Sequence, residues 1–165
     1  MKTNELKHFG VKGMKWGVRR YQNKDGSLTP AGQKRHERND KIRNKEADRY
    51  KRMADGEKRA SKRETDFAKR LKSEGSSGKT MKDMYGFTDD KTAMNVYGQN
   101  MKSLWKDTIN EAQSRASISR DRVEAYLNAN KALLDMDVST VKKRDIYKLG
   151  TSVVNRTFNE QNNRD

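Results

Sequence analysis

Large apolar residues are thinly spread through the first half of this chain and more closely spaced in the second. Between Thr29 and Ser73 the side chains of Ile42, Tyr50, Met53, Ala60, Phe67 and Leu71 recur mostly three, four, seven or eight residues apart, which lines one face of an α-helix. Thr29 is an N-cap candidate and Pro30 suits the first helical position. Beyond Pro30 only Gly32 and Gly56 interrupt the run. Acid-to-base pairs four residues apart recur as Glu37/Lys41, Asp48/Arg52, Asp55/Arg59 and Asp66/Arg70, each adding about 0.2–0.5 kcal/mol to a helix. The pattern predicts one long charged helix of roughly 40 residues, about 60 Å at 1.5 Å per residue, over residues 29–73. Its stripe is too narrow to anchor a core but can rest against a partner. Pairing of two copies along Ile42–Leu71 would cover it, so a homo-oligomer through this helix is one expectation.

Residues 74–87, with Ser-Glu-Gly-Ser-Ser-Gly at their start, read as a linker. Residues 88–165 then read as a small helical domain. A helix from a Thr88 cap to about Arg115 carries Met94, Tyr97, Met101, Leu104, Trp105, Ile109 and Ala112. Another from Ser119 to Met136 carries Val123, Tyr126, Leu127, Ala129, Leu133 and Leu134, and nothing between Arg115 and Ser119 forbids one continuous helix. A last helix starts near Ser139, buries Val141, Ile146, Leu149 and Val153, and ends by about Phe158. In residues 1–28, Gly10, Gly13, Gly17 and Gly26 leave no helical stripe, and Asn23–Ser27 is turn chemistry. The expected fold is therefore mainly α: a glycine-rich N-terminal arm, one long charged helix, then a small C-terminal helical bundle.

Composition sharpens this. Of 165 residues 31% are hydrophobic and 37% charged, poorer in apolar groups and richer in charge than a typical globular domain. Cysteine is absent, which excludes disulfide frameworks, cysteine zinc sites and cysteine nucleophiles. No apolar run approaches the roughly 18 residues of a membrane span, and the N-terminus lacks the apolar stretch of a secretory signal, so the protein is expected to be neither transmembrane nor secreted. Lys and Arg number 38 against 23 Asp and Glu, a net charge of +15. Residues 1–80 carry 24 basic and 11 acidic residues, whereas residues 81–165 carry 14 and 12. A half so basic is drawn to polyanions. Lys34, Arg35, Lys51, Arg52, Lys58, Arg59, Lys62 and Arg63 are the candidate nucleic-acid contacts. The plainer reading is a solvated helix face: acids are interspersed, the bases do not sort onto one face by inspection, and few aromatics offer stacking.

Motifs for catalysis fail on spacing. Gly75-Ser-Ser-Gly78-Lys79-Thr80 has Ser73 where a phosphate-binding loop needs its first glycine, and no apolar strand precedes it. Asp135-x-Asp137-x-Ser139 begins like a calcium loop but has Thr140 at the glycine position and Ile146 at the terminal glutamate. The only histidines, His8 and His36, lack a surrounding carboxylate cluster in the sequence. No glycine-flanked nucleophilic serine is present either. The expectation is a non-enzymatic protein without metal or cofactor.

The N-terminal segment is more informative. Lys7 to Tyr21 alternates glycines, cations and single large apolar groups. Glycines permit close backbone approach, Phe9 and Trp16 can fill pockets, and Arg19 and Arg20 can pair with acids. The partner-binding candidates are His8, Phe9, Gly10, Gly13, Met14, Lys15, Trp16, Gly17, Arg19, Arg20 and Tyr21. The competing reading packs Phe9 and Trp16 onto the chain's own helices. A membrane-surface role is disfavoured because the glycines break an amphipathic helix.

The string HFGVKGMKWGVRRYQNKDGSLTPAGQKR, His8 to Arg35, closely resembles a motif in structural and head-associated proteins of tailed bacteriophages and prophages. The pattern H-x-G-x-x-G-x-K-W-G-V-R-R-Y-Q-N-x-D-G-S-L-T-x-A-G places His8, Gly10, Gly13, Lys15, Trp16, Gly17, Arg19, Arg20, Tyr21, Asn23, Asp25 and Gly26 on the motif. The resemblance implies a non-enzymatic virion or head-associated protein that docks on another phage structural protein, located in the virion or the host cytoplasm. Two other expectations stand beside it: a basic nucleic-acid-binding phage protein, and a small phage inhibitor of a host enzyme or defence complex.

Overall fold

The computed structural model describes residues 20–23, 25–75, 79–139 and 141–163. They form five helices, α1 (Pro30–Glu74), α2 (Lys79–Tyr85), α3 (Asp90–Tyr97), α4 (Met101–Leu134) and α5 (Lys143–Asn162), and no strand among the described residues. The mainly α fold with one long charged helix and a C-terminal helical bundle is what the chain adopts.

α1 starts where the sequence places it. The Thr29 hydroxyl accepts the Gly32 N–H at 3.1 Å and Pro30 occupies the first turn, where its missing donor costs nothing. The helix passes through Gly56 without a break and stops at Gly75, whose φ of +73° suits a residue without Cβ. At 45 residues it is about 67 Å long.

What holds this polar rod is α4, which runs antiparallel along it. Partner numbers fall as numbers rise on α1: Asn39 with Val138 just beyond α4, then Ala47 with Asn130, Glu57 with Arg122, Ser61 with Ala116 and Glu64 with Arg115 on α4. The seam is made of small residues. Ala47, Ala54, Ser61 and Ala68 recur every seven positions and are all buried, facing an α4 that buries Ala112, Ala116, Ser119 and Ala129. Small side chains at heptad spacing let two backbones approach closely, so that side chains reach the opposite main chain: Ser61 Oγ donates to the Ala116 carbonyl at 3.0 Å and Asn130 Nδ2 to the Ala47 carbonyl at 2.7 Å. The thin stripe thus finds its partner inside the chain. Tyr50 and Leu71 are buried by α4 and its neighbours, and Ile42, Met53, Ala60 and Phe67 are half-buried.

Two apolar clusters lock the ends of the hairpin. At the α1 N-terminal end α5 joins, packing Ile146 and Val153 with Ala47, Tyr50, Leu133 and Val138. Gly150 lies so close to the Tyr50 ring that a Cβ would overlap it. At the other end Leu71, Met101, Leu104, Trp105 and Ile109 gather with Ala93, Tyr85 and Phe87, and the Tyr85 hydroxyl lies 2.7 Å from Thr108 Oγ1.

Several sequence-based boundaries shift. The linker contains α2, and Asp89 rather than Thr88 caps α3, its carboxylate accepting from Thr92 N–H at 2.8 Å. Gly98, at φ +71°, ends α3 and separates it from α4, so Met94 and Tyr97 do not share a helix with Leu104; both are exposed, as are Leu127 and Leu134. α4 does run unbroken through Arg115–Ser119. α5 starts at Lys143 rather than near Ser139, because Asp137 folds Ser139 into a turn by accepting its N–H at 2.9 Å. It continues past Phe158 to Asn162, where Gln161 Nε2 donates to the Asp121 carbonyl of α4 at 3.3 Å. The charge pairs also regroup: Asp55 pairs with Lys58 and Arg70 with Glu74.

Candidate docking arm, its clasp and the cationic face

Residues 20–35 build a clasp on the α1 N-terminus. Asp25 shapes the turn by accepting from Ser27 Oγ at 2.7 Å and Ser27 N–H at 3.0 Å. Those bonds, the hydroxyl's first, hold its carboxyl below the usual carboxylate range. Gly26 supplies the positive φ of +90°, Asn23 N–H reaches the Ser27 carbonyl at 2.8 Å, and Gln22 bridges Leu28. Thr29 then ties the returning chain to the outgoing one. Its N–H donates to the Tyr21 carbonyl at 3.2 Å, and its hydroxyl donates to the Arg20 carbonyl at 2.8 Å while accepting the Gly32 N–H. Gly32 is required by contact, since a Cβ there would overlap the Tyr21 carbonyl oxygen.

The clasp is fastened to the bundle through Arg35. Its guanidinium lies 4.6 Å from the Tyr21 ring centroid, within cation–π range, and donates to the Val141 carbonyl at 2.6 Å. Asn39, fully buried, donates to the Val138 and Val141 carbonyls at 3.2 and 3.0 Å. The chain therefore enters the bundle at a fixed point beside the α4–α5 connection. Of the partner-binding candidates, His8 to Arg19 lie outside the described residues. Arg20 is exposed at the mouth of the clasp, and Tyr21 is half-buried and used inside it.

The candidate nucleic-acid contacts divide differently. Arg35 is turned inward, its donors spent on Val141 and the Tyr21 ring. Lys34, Lys51, Arg52, Lys58, Arg59, Lys62 and Arg63 are all exposed. Exposed bases outnumber exposed acids on α1. Of the 16 Lys and Arg of α1 only Arg35 and Arg43 are half-buried, whereas of its acids Glu37, Asp48, Asp66 and Glu74 are exposed and Asp55 keeps 47% of its side chain in solvent. Glu57 and Glu64 turn towards the seam and pair with Arg122 and Arg115 of α4 at 3.5 and 3.1 Å. Sequence reading missed this because it counts acids without knowing which way they face.

No group of three or more His, Asp or Glu comes together among the described residues. An open groove of about 880 Å³ runs along α5 from Tyr147 to its C-cap Asn163 and is lined by that helix and its cap, so no groups from other elements converge on it. Gly75 caps α1 and Lys79 opens the seven-residue α2, a helix-to-helix setting unlike a strand–loop–helix phosphate site. Asp137, in the would-be calcium loop, is held below the usual carboxylate range chiefly by the Ser139 N–H and hydroxyl.

A family model described as a family of unknown function (DUF7211) matches residues 2–23. No curated protein and no solved structure matches the chain. The family match covers most of the 1–28 arm and ends within the clasp.

Proposed function

We propose that this protein is a non-enzymatic structural component of a tailed bacteriophage, head-associated, that docks on another phage protein through its N-terminal Gly/Trp/Arg segment. The observation that supports this reading is the division of the phage-like string at Arg20. Its second half is consumed by the clasp: Tyr21, Asn23, Asp25, Gly26, Thr29, Gly32 and Arg35 each have a structural task at the α1 N-terminus. Its first half, which carries Phe9, Trp16 and Arg19, lies outside the described residues up to Arg19. A short segment with Trp and Arg between glycines has the chemistry of a hot-spot peptide, and the clasp ties Arg20 and Tyr21 to one end of a rod about 67 Å long.

Replacing Trp16 by Ala tests this. Co-assembly with phage particles is expected to be lost while the helical circular dichroism stays that of the unmodified protein. Unchanged incorporation would overturn the docking role of the arm.

A further inference from the structure

The outward face of α1 carries a pattern that the docking reading does not use. Four Lys-Arg dipeptides, Lys51-Arg52, Lys58-Arg59, Lys62-Arg63 and Lys69-Arg70, follow one another at steps of seven, four and seven residues. Every one of the eight side chains is exposed. Neighbours in a helix are about 100° apart, so the four lysines form one row and the four arginines a second. Lys51 to Lys62 and Lys58 to Lys69 are each eleven residues apart, and an eleven-residue period is close enough to three helical turns to keep both rows nearly straight. The rows extend about 27 Å along the helix at 1.5 Å per residue. On a helix roughly 11 Å across they stand about 8 Å apart at the rim.

Among the described residues, Lys51, Arg52, Arg59, Lys62, Arg63 and Lys69 have no ion-pair partner; Lys58 pairs with Asp55 and Arg70 with Glu74. Two other acids of the stretch, Glu57 and Glu64, lie on the opposite side of α1 and pair with Arg122 and Arg115. We infer that this face of α1 binds duplex DNA through its phosphates. A straight, periodic double row of cations matches a straight, uniformly charged polyanion, and the major groove of B-DNA, about 12 Å wide, admits one helix between two phosphate backbones. Asp55 and Asp66 lie between the rows, so base edges are not read and binding is independent of sequence. The stretch offers no exposed aromatic to stack an unpaired base. Nor has it an exposed large apolar group to enter a membrane, and lysines are depleted from protein–protein interface cores.

The test is fluorescence anisotropy of the full chain with a labelled duplex of arbitrary sequence, titrated at several salt concentrations. With about six phosphates engaged, log K is expected to fall against log salt with a slope near −5, a loss of about a thousandfold between 50 and 200 mM. The quadruple variant K51Q/R52Q/K62Q/R63Q keeps good helix formers on the surface and should flatten the slope by about 3 to 4. A variant removing four exposed cations of α5, K143Q/R144Q/K148Q/R156Q, should leave the α1 contribution in place, and so should Trp16→Ala. No binding at 50 mM salt would overturn the inference. So would equal losses for the α1 and α5 variants, tighter binding to oligo-dT than to duplex, or binding to phosphatidylserine vesicles without binding to duplex.

Discussion

Gly32→Ala separates the clasp from ordinary helix energetics because the two push stability in opposite directions. Within a helix, Ala is favoured over Gly by up to about 1 kcal/mol; Gly32 is the third residue of α1 and has no positive φ. On helix propensity alone the variant should gain stability. The added methyl, however, would overlap the Tyr21 carbonyl oxygen. Backbone, unlike a flexible side-chain tip, cannot step aside without moving the segment it belongs to. Displacing Tyr21 breaks the Thr29 N–H bond to its carbonyl and the Thr29 hydroxyl bond to Arg20, each about 1 kcal/mol at most on so exposed a turn. It also lifts the Tyr21 ring from Arg35, about 0.5–1 kcal/mol. Set against the helix gain, the net loss is about 1–2 kcal/mol. In a chain of 165 residues that lowers the melting temperature by roughly 2–7 °C. Thermal denaturation by circular dichroism reads the sign, and amide exchange at Thr29 and Gly32 reads the location. A higher melting temperature with Thr29 protection unchanged would refute the claim that Gly32 is kept for close approach.

Ala54→Leu inserts bulk into the small-residue seam between α1 and α4 and should cost about 1–3 kcal/mol; an unchanged melting temperature would mean the helices are not closely apposed there. Asn39→Ala removes two donors from the buried Val138 and Val141 carbonyls and should cost about 2–4 kcal/mol, checked by urea denaturation; a loss under 0.5 kcal/mol would contradict the bonding described. Asp25, Asp89 and Asp137 have carboxyls held low by their turn and cap hydrogen bonds, Asp25 chiefly by the Ser27 hydroxyl and the others chiefly by the Thr92 and Ser139 N–H groups. Their contribution is therefore fully present above the usual carboxylate range near pH 4 and is lost as pH falls through their lowered values. The melting temperature should hold steady from pH 7 to about 5 and decline towards pH 2.5; a flat profile to pH 2.5 would contradict it.

Helix content and the long α1 are legible in the sequence because Thr29-Pro30 and the absence of later prolines leave few alternatives. The pairing of α1 with α4 is not, because Ala47, Ala54, Ser61 and Ala68 contribute little to a hydrophobic stripe; their importance lies in what they allow the backbones to do. A seven-residue recurrence of small residues, matched by Ala112, Ala116 and Ser119, is the signal that finds it. The clasp is half legible: the Asn23–Ser27 turn and the Thr29 cap follow from residue type, while Gly32 and Arg35 acquire their roles only once Tyr21 is folded back over them. The cationic face is obscured for a related reason. Glu57 and Glu64 count as neutralising charge in the composition, yet they lie on the opposite side of α1, where Arg122 and Arg115 of α4 pair with them.

The central claim, that the Trp-bearing arm brings this helical hairpin into a phage particle, is tested most directly by quantitative mass spectrometry of purified particles, counting this protein against the major capsid protein. A fixed stoichiometric ratio, lost in the Trp16→Ala variant, is the predicted result. Expression during infection with no copies in the particle would contradict it.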